Sequence, residues 1–323
     1  MRNMDRVMCP MGVMIFVSMM MAGMGGAVAA EKREVDSAVE RDSSDDGWGE
    51  MPGFRQVLDL EYARVNGEAL FLDLLIPEGV KNPPVVVWLH GGGWRKGSRK
   101  NCGRTAILAD RGFAVASIDY RLTGTAPFPA QIVDALAACR WIRANGNRYG
   151  LDASRVGAWG SSAGAHLAAL LGLTDEGDWG GEEPAGAAAP VVDAVAGYCG
   201  LYDFDRVIAD GSGMKPEKEG SIFWMFFGGS PAAHKQESFR AGPVNHVRRP
   251  APPFLLVHGT ADPIVPHPQA VRFDEALREA GLDSTLKLLE GGGHGRQWEP
   301  WQASLDKELC DFFVKHLGDP QKR

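Results

Sequence analysis

Basic charge is scarce in this sequence. Its 323 residues carry 34 Lys and Arg against 41 Asp and Glu, a formal net charge of −7. A protein that neutralises phosphates needs a basic face, so nucleic acid is not an expected partner. Cysteine is scarce as well, with five in the chain. They are widely spaced and form no C-x-x-C, which excludes a zinc-ribbon pattern and a disulfide-dense scaffold. Cys139 falls in a helical pattern and Cys199 in an apolar strand pattern, where a cysteine acts as a small buried hydrophobe. One bridge among Cys102, Cys139, Cys199 and Cys310 stays open. No internal repeat is present, so a propeller or solenoid is not expected. What remains is ordinary: 45% hydrophobic and 23% charged residues, the balance of one large globular domain.

The first 29 residues depart from that average. Arg2 and Arg6 precede an apolar stretch, Met11–Met21, interrupted by Gly12 and Ser18. Small residues follow, and Ala27-Val28-Ala29 fits an A-x-A cleavage site, so residues 1–29 read as a secretory signal peptide. The stretch is short of the roughly 20 apolar residues that span a bilayer, and an uncleaved anchor is the competing reading. A secreted or periplasmic protein is expected, with no membrane span after cleavage. Residues 30–53 are polar and charged and predict a disordered lead-in.

Structure is expected from Phe54. Val57–Val65 and Ala69–Ile76 are two extended runs around Asn66-Gly67, a hairpin signal. Short continuous apolar runs follow, beginning with Val85-Val86-Val87-Trp88-Leu89 and recurring at 114–118, 156–159, 192–198, 254–257 and 286–289. Such runs suit strands buried on both faces. Helical stretches lie between them, including Ala130–Asn145, Ala163–Leu173 and Gln269–Ala280, with a closing helix over 298–316. The alternation predicts an α/β fold, a mostly parallel sheet with helices on both faces. Residues 201–247 interrupt it with aromatics among glycines and charges, a small lid insertion. The domain spans 54–318, and 319–323 is a tail.

The chemical motifs fall at the carboxyl ends of these strands, where open α/β sheets bind ligands. Gly160-Ser161-Ser162-Ala163-Gly164 is G-x-S-x-G between a strand and a helix, a turn that lifts Ser162 above the sheet. Ser161 occupies the x position and points away. His90-Gly91-Gly92-Gly93-Trp94 follows the Val85–Leu89 strand, and its glycines let backbone N–H groups approach an oxyanion. Gly92, Gly93 and Ala163 are the expected donors. Asp262 lies in His258-Gly259-Thr260-Ala261-Asp262 and His294 in Gly291-Gly292-Gly293-His294-Gly295, each just after a strand. A serine hydroxyl needs a base to accept its proton, and that base needs an orienting acid. The order Ser162, Asp262, His294 suits those roles. His166, His258 and His267 compete as the base, and Asp203 and Asp205 as the acid. Trp94 and Trp298 are candidate substrate contacts.

Together, HGGGW, Tyr120-Arg121 through Phe128-Pro129-Ala130-Gln131, GSSAG, HGTAD and GGGHG resemble the bacterial esterase/lipase branch of the α/β-hydrolase superfamily, with its acetyl, acetylxylan and feruloyl-esterase-like members. The resemblance runs from about residue 55 to 318. It implies the α/β-hydrolase fold with an eight-stranded sheet, no metal, no organic cofactor, and a serine ester hydrolase acting on short-chain or aromatic acyl esters. Export directs attention to a small-molecule or polysaccharide ester outside the cell. Two other classes stay in view: a prolyl-oligopeptidase-type peptidase, which usually carries a propeller that this chain lacks, and a hydrolase-like binding module, which would have lost a motif residue.

Overall fold

The computed structural model describes residues 47–175, 177–179, 191–207, 210, 214–295 and 298–322. The signal segment 1–29 and most of the lead-in lie outside these residues.

Among the described residues, the chain builds one eight-stranded sheet in the order β1-β2-β4-β3-β5-β6-β7-β8. β1 (Phe54–Val65) and β2 (Glu68–Pro77) form the hairpin. Asn66 and Gly67 both have positive φ, 50° and 87°, as the two central residues of a tight hairpin turn require. β2 runs antiparallel to β4 (Ala114–Ile118), while β3 (Pro84–Leu89), β5 (Asp152–Ser161), β6 (Ala194–Tyr198), β7 (Phe254–Gly259) and β8 (Ser284–Leu289) pair in parallel. Every residue of β3, β4, β6 and β7 is buried, which explains their continuous apolar runs.

Alternate side chains of β3 enter two separate cores. Val85, Val87 and Leu89 join α2 (Ala130–Asn145), α3 (Ala163–Leu173) and α6 (Pro268–Glu279). Val86 and Trp88 join α1 (Ala106–Asp110) and α7 (Gln302–Leu317). This is the three-layer arrangement that the alternating pattern predicts. All eleven residues of α3 are buried, because sheet, α2 and the insertion cover it.

The insertion between β6 and β7 contains α4 (Ile222–Phe227) and α5 (Lys235–Ala241). Its phenylalanines are core. Phe204, Phe223, Phe226 and Phe227 are each at most 5% exposed and pack on one another and on Trp94. The lead-in ends earlier than its polarity suggests. Trp48 is buried against the α1/α7 core and its indole N–H donates to the Thr105 hydroxyl at 2.9 Å. The Gly47 N–H also donates to the Lys100 carbonyl, and Met51 packs on the same core. The tail is anchored too, since Pro320 is buried and faces Gly112.

Candidate active site

Four strand ends converge on one place. β5 delivers Ser162 in a sharp turn into α3. Its backbone sits at φ 54° and ψ −117°, a strained conformation for a residue with a Cβ. The turn is tight enough that a Cβ on Gly164 would run into the carbonyl oxygen of Leu89. The Ser162 N–H donates to the Tyr198 carbonyl at 2.8 Å and is spent there.

β7 and β8 supply the other groups. His294 Nε2 lies 3.0 Å from Ser162 Oγ. His294 Nδ1 lies 2.6 Å from Asp262 Oδ2. Asp262 is 8% exposed, and its Oδ1 accepts the N–H groups of Ile264 and Val265 at 2.8 and 2.9 Å. Burial pushes this carboxyl up, but the bonds from His258, His294 and Ile264 outweigh it and hold the group well below the usual carboxylate range. His294 is buried, which disfavours its cation. The Cys199 sulfur and the Asp262 carboxylate outweigh that and raise the imidazole above its ordinary 6.5.

The glycine loop after β3 flanks the serine. A Cβ on Gly91 would touch Ser161 and Ser162. Gly92 has φ +107°, and a side chain there would collide with the Lys96 carbonyl. Among the described backbone hydrogen bonds outside helices and strands, none takes the N–H of Gly92, Gly93 or Ala163. Gly93 and Ala163 border a cleft with Ser162, Trp94, Leu201, Met214, Ile222, Ile264 and Val265. The space there open to the centre of a water-sized group is about 20 Å³.

The competing residues are engaged with other partners, and His258 stands behind Asp262 with its Nε2 2.8 Å from the Val265 carbonyl. Ser161 Oγ faces Cys199 Sγ at 3.5 Å. His166 accepts the Trp94 indole N–H and meets the Ala241 carbonyl at 2.7 Å, and burial lowers it to about 3. His90 stacks on Tyr120 and is likewise lowered by burial, to about 4. His267 faces the Thr260 carbonyl. Asp203 contacts Arg206 and Arg272, away from His294.

The two tryptophans expected as substrate contacts lie in different places. Trp94 borders the cleft but is 3% exposed, locked on Phe226 with ring centroids 4.2 Å apart. Trp298 is 2% exposed in the α1/α7 core, and its indole N–H donates to the Gly293 carbonyl at 2.9 Å. It braces the loop that carries His294 and has no surface to offer a substrate. A lone tryptophan in sequence reads the same whether core or cleft receives it, which is why Trp298 was misplaced. Two contacts of the site have no motif of their own: Cys199 beside His294, and the apolar wall from the insertion.

The chain matches the BD-FAE family over residues 72–277. It belongs to that family. Several relatives and solved structures similar to the chain are named as esterases. Esterase LipC of Mycobacterium tuberculosis is 37% identical over 221 residues, 67% of this chain and 53% of LipC. The chain spans about half the length of this relative. A truncated carbohydrate esterase from gut microbiota superposes with a TM-score of 0.68 at 27% identity, covering 81% of this chain and 96% of that one. An esterase of Thermogutta terrifontis with propionate bound gives 0.66 at 26% identity, over 83% and 96%. The fold is the α/β-hydrolase fold of the esterase branch.

Proposed function

We propose that this BD-FAE protein is a serine carboxylic-ester hydrolase working through an acyl-enzyme. The observation that carries the reading is His294, held between Ser162 Oγ and Asp262 Oδ2 at 3.0 and 2.6 Å. His294 Nε2 takes the serine proton as Oγ attacks the acyl carbon. The Gly92, Gly93 and Ala163 N–H groups receive the oxyanion. Ala163 is the donor on the nucleophile side because the Ser162 N–H is engaged with Tyr198. The imidazolium then gives its proton to the leaving alcohol, and Asp262 stabilises that cation. Water repeats the sequence on the acyl-enzyme and releases the acid. No step calls on a metal or organic cofactor.

The cleft beside Ser162 supports a short acyl group over an aromatic one. The space a water-sized group's centre can reach there, about 20 Å³, favours a small acyl group over a bulky ring. The expected cleavage signal at 27–29 supports export, and an exported esterase meets esters outside the cytoplasm, acylated polysaccharides among them. Among the described residues, no helix is long and apolar enough to cross a membrane.

Hydrolysis of p-nitrophenyl acetate, butyrate and laurate, methyl ferulate and acetylated xylan by the purified protein, beside Ser162→Ala, tests the reading. Cleavage of acetate esters that disappears in the variant is expected. Equal activity in Ser162→Ala would sink it.

A further inference from the structure

Asp262 is met by two histidines. The reaction uses one, His294. The other, His258, lies at the end of β7 and is wholly buried. Its Nε2 is 2.8 Å from the Val265 carbonyl oxygen and 3.3 Å from Asp262 Oδ2. A carbonyl oxygen only accepts, so Nε2 carries the proton. The same N–H then faces both acceptors. Among the described residues, Nδ1 of His258 is buried with no hydrogen-bond partner. A protonated Nδ1 would bury a donor without an acceptor, which fixes the tautomer.

These contacts close a ring. Val265 N–H donates to Asp262 Oδ1, and the Val265 carbonyl receives His258. Ile264 N–H donates to Oδ1 as well, and His294 and His258 share Oδ2. The carboxylate thus has three hydrogen-bond donors, and the His258 N–H stands 3.3 Å away as a fourth contact. Ile264 and Val265 also border the cleft at Ser162, so the turn that holds the acid is also a wall of the acyl pocket.

We propose that His258 is a positioning residue: its single Nε2–H, shared between Val265 and Asp262, fixes the carboxylate that receives His294. This rests on the serine-hydrolase reading above. Removing the donor concentrates the carboxylate charge on His294, which favours the imidazolium and moves the base's titration to higher pH. The ionisable groups facing His294 are Asp262 and Cys199, with the Ser162 hydroxyl at Nε2, and none of these changes in the variant.

The test compares the unaltered protein, His258→Phe and His258→Gln. Phe keeps a ring of similar volume without the N–H; Gln returns an amide donor. The readouts are thermal midpoint, kcat and KM for p-nitrophenyl acetate from pH 5 to 10, and the far-downfield proton resonance of His294 Nδ1–H, identified by its loss in His294→Ala. For His258→Phe we expect kcat to fall about 10-fold or more with little change in KM, the pH midpoint to rise, and the resonance to shift. His258→Gln should recover much of each. A folded His258→Phe with unaltered pH midpoint and resonance overturns the proposal, even if its thermal midpoint is lower. If the Phe variant does not fold, the Gln variant decides by the same two readouts: unshifted values with reduced kcat contradict it. An unaltered protein that cleaves no ester defeats the hydrolase reading instead, and the resonance still decides on His258.

Discussion

At the scale of single residues, the site depends on where protons are held. His294 must be neutral to accept from Ser162, and its surroundings raise it above 6.5. The neutral form therefore gains population only as pH climbs past that raised value. We expect kcat/KM for a neutral ester to rise with pH and reach half its plateau above 6.5; a midpoint below 6 would contradict the assigned surroundings of His294. Asp262→Asn keeps the shape of the acid but loses its charge and presents the wrong tautomer partner. Its kcat should fall by about 10³–10⁴-fold, by analogy with the same change in other triads. Gly92→Ala tests the oxyanion loop. Its φ of +107° and its closeness to Lys96 forbid a side chain, so the loop must shift. A loss of about 10²–10³-fold in kcat is expected if an oxyanion donor moves with it; near-normal kcat would remove Gly92 from the role. The motif residues themselves were legible in sequence because each needs a particular residue type: a Cβ-free neighbour at the elbow, an imidazole, a carboxylate. Trp298 and His258 were not, because their roles come from which face of the sheet they meet.

At the scale of elements, the strands and helices were plain from periodicity. Buried parallel strands have continuous apolar runs, and Ala130–Asn145 and Ala163–Leu173 appear with the bounds their patterns suggested. The insertion was harder. Its aromatics are spaced among glycines and charges with no regular period, yet Phe204, Phe223 and Phe226 are core. Hydrophobicity alone does not distinguish a cleft from a core when the segment has no regular period. What the insertion offers the cleft is aliphatic: Ile222, at the start of α4, lies against Gly93 and borders the space beside Ser162. Ile222→Ala should raise the ratio of butyrate to acetate hydrolysis, measured as kcat/KM; an unchanged ratio would place the acyl chain elsewhere. Phe226, fully buried beneath Trp94, anchors the element. Phe226→Ala should cost about 3–5 kcal/mol in denaturant unfolding.

At the scale of the whole molecule, one sheet carries four loops to one end, and those loops contain the serine, the acid, the base and the glycine donors. The fold, its strand count and the antiparallel start followed from pattern and resemblance. The lead-in was placed too far along because composition averages over Trp48, whose side chain is buried against the α1/α7 core. The proposed export is tested at this scale too. Expressed in full in a secreting bacterium, the protein should be recovered outside the cytoplasm with Ala30 as its first residue; an intact N-terminus on a cytoplasmic product would contradict it.

The central claim is that an acyl group passes through Ser162. Rapid-quench mass spectrometry of the protein mixed with p-nitrophenyl acetate tests it most directly. The account predicts a transient acetyl increment that peptide mapping places on Ser162 and that Ser162→Ala never shows. Turnover with no adduct on Ser162, or an adduct on another residue that forms and decays at the turnover rate, would contradict it.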